Sequence, residues 1–220
     1  MTALGDSRAW TSRFISVDER LLERIAAVWP ACLAVLPSIP EEDTITFNLV
    51  HLLGKDPVVR SICHWIEFQF EPSGTYPSGR KYSKGKIDIA VFLDWERECY
   101  VAYECKRLNV THGRKRSSLA TVYVTEGMMR FMTDQYAEGL PSGCMLGYVI
   151  DGDTAFAMNR LTHAITSHKP LGLVIGPTTI EPIQYITRFL TTHSRITSMP
   201  LELRHALLPF LNSQALSGPD

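Results

Sequence analysis

Apolar residues recur at intervals of three and four along two stretches near the start of the chain. The first stretch, residues 16–29, predicts an amphipathic helix that ends at Pro30, because proline disrupts the helical hydrogen-bond pattern. The second stretch, residues 41–57, predicts a helix with several acidic residues in its first turn, where the helix dipole favours negative charge.

Three segments follow in which aromatic and β-branched residues alternate with polar ones. Residues 64–72, 86–94 and 98–108 each predict a strand. The polar links between them favour turns, so the three strands are expected to form an antiparallel meander. Residues 111–118 come next, and their basic, polar composition predicts a flexible loop.

The second half of the chain mixes helical and strand-like patterns. Apolar spacing predicts helices over residues 119–138 and 154–168, and strands over residues 144–152 and 171–176. This order of elements predicts an α/β fold with a central mixed sheet of four to five strands flanked by helices.

Composition limits the possible classes of protein. The chain has 220 residues, 45% of them hydrophobic, with a net charge of -1 and a pI of about 6.7. We expect one domain over residues 1–220, in which any basic binding surface must be local. The five cysteines include no C-x-x-C pair, and no apolar signal segment or membrane span is found. We therefore expect a cytoplasmic protein that does not contact a membrane.

The segment VAYECKRLN, residues 101–109, carries Glu104 and Lys106 where a core strand would have apolar side chains. Because side chains alternate between the faces of a strand, these two residues share one face. On the preceding strand, Asp88 would approach Glu104 at one end of the sheet. Two such carboxylates repel each other, and a divalent cation such as Mg²⁺ would compensate them. The ammonium of Lys106 could then position a water molecule or stabilise charge on a phosphate.

Asp88 followed by the triplet Glu104-Cys105-Lys106 resembles the D…E-x-K core of the PD-(D/E)xK, or restriction-endonuclease-like, nuclease superfamily. The predicted order of elements is similar to that of the family core, which has a helix carrying an acid, three antiparallel strands, a helix and a further strand. The resemblance covers roughly residues 41–150, with helical and strand additions over 1–40 and 151–212.

The resemblance implies a role for each acidic residue of the motif. Asp88 and Glu104 would be ligands of a Mg²⁺ or Mn²⁺ ion, and Lys106 would partner the attacking water. An acid of the first family helix would complete the catalytic set. We choose Glu42 for this position, with Glu41 and Asp43 as close alternatives.

The resemblance also implies an activity. A Mg²⁺-dependent endonuclease that hydrolyses DNA is the first hypothesis, with bacterial defence against foreign DNA as its setting by analogy. A non-cleaving nucleic-acid-binding or assembly subunit on a nuclease-like scaffold is the second hypothesis, and an RNA-directed nuclease is the third. Because an unregulated nuclease would damage its host, we expect a regulatory protein partner or a homo-oligomer.

Several basic residues are candidates for contacts with nucleic-acid phosphates, because they flank the motif along the chain. They are Lys84 and Lys86 before the motif aspartate, Arg114, Lys115 and Arg116 in the basic loop, and Arg130 on the following helix.

Each assignment has a simpler alternative. Glu104 and Lys106 could form a salt bridge on a solvated sheet face, and the basic loop could be an ordinary charged surface. His193 and His205 lack the spacing of a metal site, and we interpret them as hydrogen-bonded residues beside apolar helices.

Overall fold

A seven-stranded sheet forms the centre of the computed structural model, which describes residues 7–113, 115–137, 140–195 and 199–210. The strands, including those of two separate hairpins, are β1 (Trp65–Phe70), β2 (Ser73–Thr75), β3 (Lys81–Ser83), β4 (Ile87–Phe92), β5 (Tyr100–Leu108), β6 (Val110–His112), β7 (Lys115–Ser117), β8 (Ser142–Val149), β9 (Leu173–Ile183), β10 (Ile186–His193) and β11 (Leu201–Pro209). The helices are α1 (Ser7–Leu33), α2 (Glu42–Lys55), α3 (Val59–Ile62), α4 (Ala120–Val122, the π-helical Tyr123–Met128 and Met129–Met132) and α5 (Thr154–Ser167), which a 3₁₀ turn follows at Lys169–Leu171.

The order of strands in the sheet is β1-β4-β5-β8-β11-β10-β9, whereas β2–β3 and β6–β7 form hairpins of their own. Strands β1, β4 and β5 are antiparallel, β5, β8 and β11 are parallel, and β11, β10 and β9 are antiparallel. The predicted mixed sheet with flanking helices is therefore confirmed. The predicted number of four to five strands was wrong, because β10 and β11 were not recognised and lie between β8 and β9.

Helices cover both faces of the sheet and divide the core into two halves. On one face, α1, α2 and α3 pack against a group that includes Tyr103, Leu146 and Tyr148. On the other face, α4 and α5 pack against a group that includes Ala102 and Met145. None of the helices in the described part of the chain is both long enough and apolar enough to cross a bilayer.

Helix α1 continues through Pro30 to Leu33, so the predicted helix end at Pro30 was wrong. Proline has no N–H to offer the carbonyl of Ala26, and the hydroxyl of Tyr185 donates a hydrogen bond to that carbonyl instead. The buried Trp29 next to the proline also donates its indole N–H, at 2.7 Å, to a carbonyl at the end of β11. Tertiary contacts thus replace the helical hydrogen bond that proline removes.

Two predictions around the basic segment were also wrong. Residues 111–118 are not a flexible loop, since β6 and β7 pair as a hairpin whose turn includes Gly113 at a φ of 59°. The helix predicted over 119–138 ends at Met132. The chain turns there, with Asp134 at a φ of 55°, and the hydroxyl of Tyr136 donates to a backbone carbonyl just before β4.

The C-terminal strands differ from their predictions as well. The segment 171–176 was predicted as a buried strand, but β9 lies at an edge of the sheet, where Val174 and Ile175 are each 61% exposed. His193 and His205 were predicted beside apolar helices, whereas they belong to β10 and β11. Both histidines are buried.

A chain of hydrogen bonds through these two histidines joins four elements, the 3₁₀ turn, β10, β11 and α4. His193 Nδ1 lies 2.9 Å from the carbonyl of Leu171 and must donate to it, so its Nε2 accepts from Thr191 Oγ1 at 2.7 Å. Thr191 Oγ1 then accepts from His205 Nε2 at 2.8 Å, and His205 Nδ1 accepts from the hydroxyl of Tyr123 at 2.9 Å. Burial lowers the pKa of both histidines, which is consistent with two neutral rings.

We expect Thr191→Val to lower the free energy of unfolding by roughly 1 to 3 kcal/mol, because one buried donor and one buried acceptor lose their partner. Urea denaturation at pH 7.5 measures this change. The matched control is Thr192→Val, at the adjacent half-buried position of β10, which should stay within about 0.5 kcal/mol of the parent. Equal stabilities of the two variants would contradict a contribution of the hydrogen bonds of Thr191 to the free energy of unfolding.

Candidate active site

Strands β4 and β5 bring the motif aspartate next to the motif glutamate. The register pairs Ile89 with Tyr103, and the same register continued by one residue sets Asp88 opposite Glu104. Asp88 Oδ2 also accepts a hydrogen bond from the backbone N–H of Cys105 at 2.7 Å. The position of the aspartate is thus set by the backbone of the strand that carries the glutamate.

The ammonium of Lys106 lies among three carboxylates. Its Nζ is 2.8 Å from Glu42 Oε1, 2.8 Å from Glu104 Oε1 and 4.0 Å from Asp88 Oδ2. The side chain of Glu104 is completely buried, and those of Lys106 and Asp88 are only 9% and 12% exposed. The four side chains therefore form one charged group in which the acids outnumber the lysine, and Glu42, 26% exposed, lies at its rim.

Glu42, the first residue of α2, closes this group from the neighbouring helix. Its Oε2 accepts from the backbone N–H of Arg107 at 2.8 Å, while its Oε1 contacts the lysine. The two alternative acids have other partners. Glu41 pairs with the guanidinium of Arg107 at 2.7 Å, and Asp43 accepts from Gln69 at 2.9 Å. Of the three acids, Glu42 is the one that contacts the motif lysine.

Helix α4 covers the buried carboxylate from the other side. A Cβ added at Gly127, in the π-helical part, would lie 3.4 Å from Lys106 Cγ, 3.6 Å from Glu104 Cγ and 2.7 Å from Met145 Cε. Glycine thus lets the helix approach the charged group closely. One turn later, Arg130 Nη1 lies 3.2 Å from Glu104 Oε1. π-Helical segments are frequent at functional sites, and this one directly precedes the helical turn that carries Arg130.

Burial changes the protonation of both motif acids. Loss of solvation, only partly offset by Lys106, raises the pKa of Asp88 to about 6. Loss of solvation, followed by repulsion from Asp88, raises the pKa of Glu104 to about 8. Burial alone would lower the pKa of Lys106, but the surrounding carboxylates outweigh it and raise that pKa. The lysine is therefore charged at neutral pH, and the two acids compete for ionisation.

Asp88 and Glu104 suit a hard divalent cation, because Mg²⁺ binds through one or two carboxylates and keeps several waters. Glu104 Oε1 is a buried oxygen near Lys106 Nζ that makes no hydrogen bond of good geometry within the described residues. Over those same residues, no three His, Cys, Asp or Glu side chains converge as a preformed metal cage. The site thus offers two carboxylates to a cation rather than a complete set of protein ligands.

The predicted phosphate-binding residues differ in their contacts with the buried charged group. Arg130 reaches Glu104 and donates to the hydroxyl of Tyr136 at 2.6 Å, so its guanidinium faces the site. Lys86 lies two residues before the motif aspartate and pairs with Glu71 at 3.7 Å. Lys84 lies in the same link between β3 and β4.

The basic hairpin β6–β7 is bound to the start of α5. Arg116 pairs with Asp151 at 2.5 Å and with Asp153 at 3.1 Å, and its guanidinium stacks 3.6 Å from the ring centre of Phe156. The adjacent Lys115 is exposed. The remaining candidate of this segment, Arg114, lies outside the described residues. Ion pairing thus leaves Arg116 with little free charge for a phosphate.

Two residues of the site were not predicted. Arg107, which follows the motif directly, donates a hydrogen bond from its backbone N–H to Glu42. A backbone contact of this kind cannot be predicted from a pattern of side chains. Gly127 could have been noticed, since an isolated glycine within a helical stripe often marks a close approach.

The chain has no match among known proteins in the three comparisons made. No family model matches it, no curated protein matches it, and no solved structure matches it. Its function therefore has to be inferred from the side chains of the site and their surroundings.

Proposed function

We propose that this protein is a Mg²⁺- or Mn²⁺-dependent nuclease that hydrolyses phosphodiester bonds of DNA. The observation that carries the proposal is the buried group in which Glu42, Asp88 and Glu104 surround Lys106. Burying several carboxylates is costly unless a cation compensates them, so a stable protein retains such a group at a functional site more often than elsewhere.

Each residue of the group has a proposed role. Asp88 and Glu104 would hold the divalent cation, which lowers the pKa of a bound water and stabilises negative charge on a phosphate. Lys106 would orient the attacking water and keep it close to the phosphorus. Glu42 would hold the lysine in place, since it contacts the ammonium at 2.8 Å. Arg130 would neutralise charge on the phosphate from the side of α4.

The order of elements supports the restriction-endonuclease-like assignment. An acid-bearing α2 precedes the antiparallel β1, β4 and β5, and α4 leads to β8, which is parallel to β5. This is the succession that the resemblance implies for the family core, and β9, β10 and β11 would be additions to it.

The proposal is tested by incubating the purified protein with labelled single-stranded and double-stranded DNA, with Mg²⁺, with Mn²⁺ and with EDTA. We expect cleavage that requires the metal. Intact DNA under all three conditions, at protein concentrations well above those of the substrate, would reject the proposal. The same assay with labelled RNA decides whether the RNA-directed alternative replaces DNA cleavage.

A specific observation favours the second function, a binding or assembly subunit that does not cut. The ammonium of Lys106 already lies between the carboxylates and partly neutralises them, so the fold does not require a metal ion. Calorimetric titration with Mn²⁺ separates the two functions. A nuclease should bind the ion and lose that binding on Asp88→Asn, whereas an assembly subunit should show no heat of binding in either protein.

A further inference from the structure

An aromatic hairpin lies between β1 and β4, at the end of the sheet where Asp88 lies. Strands β2 and β3 form it, and their register pairs Gly74 with Tyr82. Tyr82 is 39% exposed and Tyr76 is 41% exposed, and both belong to the same hairpin. Their ring centroids are 4.5 Å apart at an angle of 42°. Two adjacent rings are therefore presented to solvent together.

The hairpin holds these rings in place. A Cβ at Gly74 would overlap the ring of Tyr82, so the absence of a side chain there lets the ring lie against the backbone. The guanidinium of Arg80 lies 4.8 Å from the ring centre of Tyr76. Lys81 Nζ donates to Thr75 Oγ1 at 2.6 Å across the two strands. These contacts restrict both rings, which lowers the side-chain entropy that is lost when a base stacks on their exposed parts.

The charge of the segment is strongly positive. Four cations, Arg80, Lys81, Lys84 and Lys86, fall within seven residues that lead directly into β4. The backbone carbonyl of Lys86 also accepts hydrogen bonds from Arg130 and Tyr136, which connects the base of the hairpin to the site. A ligand on the hairpin would thus be both anionic and close to the buried acids.

We propose that the β2–β3 hairpin binds single-stranded nucleic acid by stacking unpaired bases on Tyr76 and Tyr82. The inference rests on the proposed nuclease function and names its substrate class as unpaired strands. Base–aromatic stacking beside a basic groove is the common mode of single-strand binding, because every base has a π-face. In a duplex those faces are covered by neighbouring bases. Four cations beside two aromatic rings favour a polyanion with bases over a protein partner.

Fluorescence anisotropy in EDTA tests the proposal without cleavage. The probes are a labelled 20-nucleotide single-stranded DNA, the same sequence as RNA, the corresponding DNA duplex, and an abasic DNA strand of equal length. The test variant is the double substitution Tyr76→Ala with Tyr82→Ala. The matched control is Tyr76→Phe with Tyr82→Phe, which keeps both rings. Far-UV circular dichroism verifies that each variant is folded.

We expect the double alanine variant to bind the single strand roughly ten-fold or more weakly, as loss of stacking predicts. Its affinity for the abasic strand and for the duplex should change less than two-fold, and the phenylalanine variant should bind as the parent does. The DNA and RNA arms identify the preferred sugar.

Three outcomes would overturn the inference. The parent protein could fail to bind the single strand, the alanine variant could bind it as tightly as the phenylalanine variant, or all four probes could lose affinity equally. Binding and cleavage are separable here. If binding depends on the rings but the protein cuts no DNA, the nuclease function is rejected and single-strand binding by the hairpin is retained. If the protein cuts DNA but binding does not depend on the rings, the nuclease function is retained and binding by the hairpin is rejected.

Discussion

Glu104→Gln should lower DNA cleavage by about 100- to 1,000-fold, the effect expected when one group that stabilises charge in the transition state is removed. The glutamine has nearly the same shape, so the packing against Gly127 is preserved. One of the two carboxylates that would hold the divalent cation is lost, and Asp88 remains. Single-turnover cleavage of labelled DNA with Mn²⁺ measures the effect on the chemical step.

The control for this loss is Glu98→Gln in the exposed turn between β4 and β5, which makes the same chemical change away from the buried group. It should cleave DNA at the rate of the parent. Lys106→Met should lower cleavage by about 100- to 1,000-fold, the usual effect of removing one positioned group that stabilises charge in an active site. Cleavage by Glu104→Gln at more than a tenth of the parent rate would remove Glu104 from the proposed catalytic set.

The same Glu104→Gln substitution should stabilise the fold at alkaline pH. Burial and the neighbouring Asp88 raise the pKa of Glu104 from 4.5 to about 8, so the folded protein retains a proton that the unfolded chain releases. The stability of the parent is therefore highest below pH 4.5 with respect to this group, and it falls as the pH rises from 4.5 to 8. Glutamine does not ionise and avoids that loss.

We expect Glu104→Gln to raise the free energy of unfolding by roughly 2 to 4 kcal/mol at pH 8.5 and by little at pH 4.5. Urea denaturation of parent and variant at these two pH values measures the difference. Glu98→Gln again serves as the control and should show no pH-dependent gain. Equal stabilities of parent and Glu104→Gln at pH 8.5 would mean that the carboxylate is ionised without cost.

Glu104→Gln is expected to lower the rate of cleavage and to raise the stability of the fold, so the two measurements are more informative together than either is alone. A variant that is more stable but inactive cannot owe its inactivity to unfolding. This combination is expected where a fold retains a costly buried charge for function. A destabilised and inactive variant would instead indicate a structural ion pair between Glu104 and Lys106.

Much of the architecture could be predicted from the sequence. The alternation in β1, β4 and β5 and the apolar spacing in α2 and α5 are local properties, and the structure confirms these elements. The same alternation placed Glu104 and Lys106 on one face of β5. Local patterns succeed here because the apolar residues recur with the period of the element that they form.

Strands β10 and β11 could not be predicted, because buried polar residues interrupt their apolar pattern. Arg204, for example, is only 7% exposed and donates to Asp18 at 2.7 Å, across 186 residues of chain. The buried His205 depends on Thr191 and Tyr123 in the same way. A polar residue in a strand looks like a surface residue until its distant partner is known.

The sequence by itself determined the helical and strand periods, the shared face of the motif residues and the acidic start of α2. Only the tertiary structure decided that Glu42, rather than Glu41 or Asp43, contacts Lys106 and that Arg116 is bound by acids near α5. It also places Glu104 in a buried site beside Asp88, where the pKa of its carboxyl is raised to about 8. The physical reason is that periodicity depends on residues a few positions apart, whereas desolvation and ion pairing depend on which distant side chains share the same buried space.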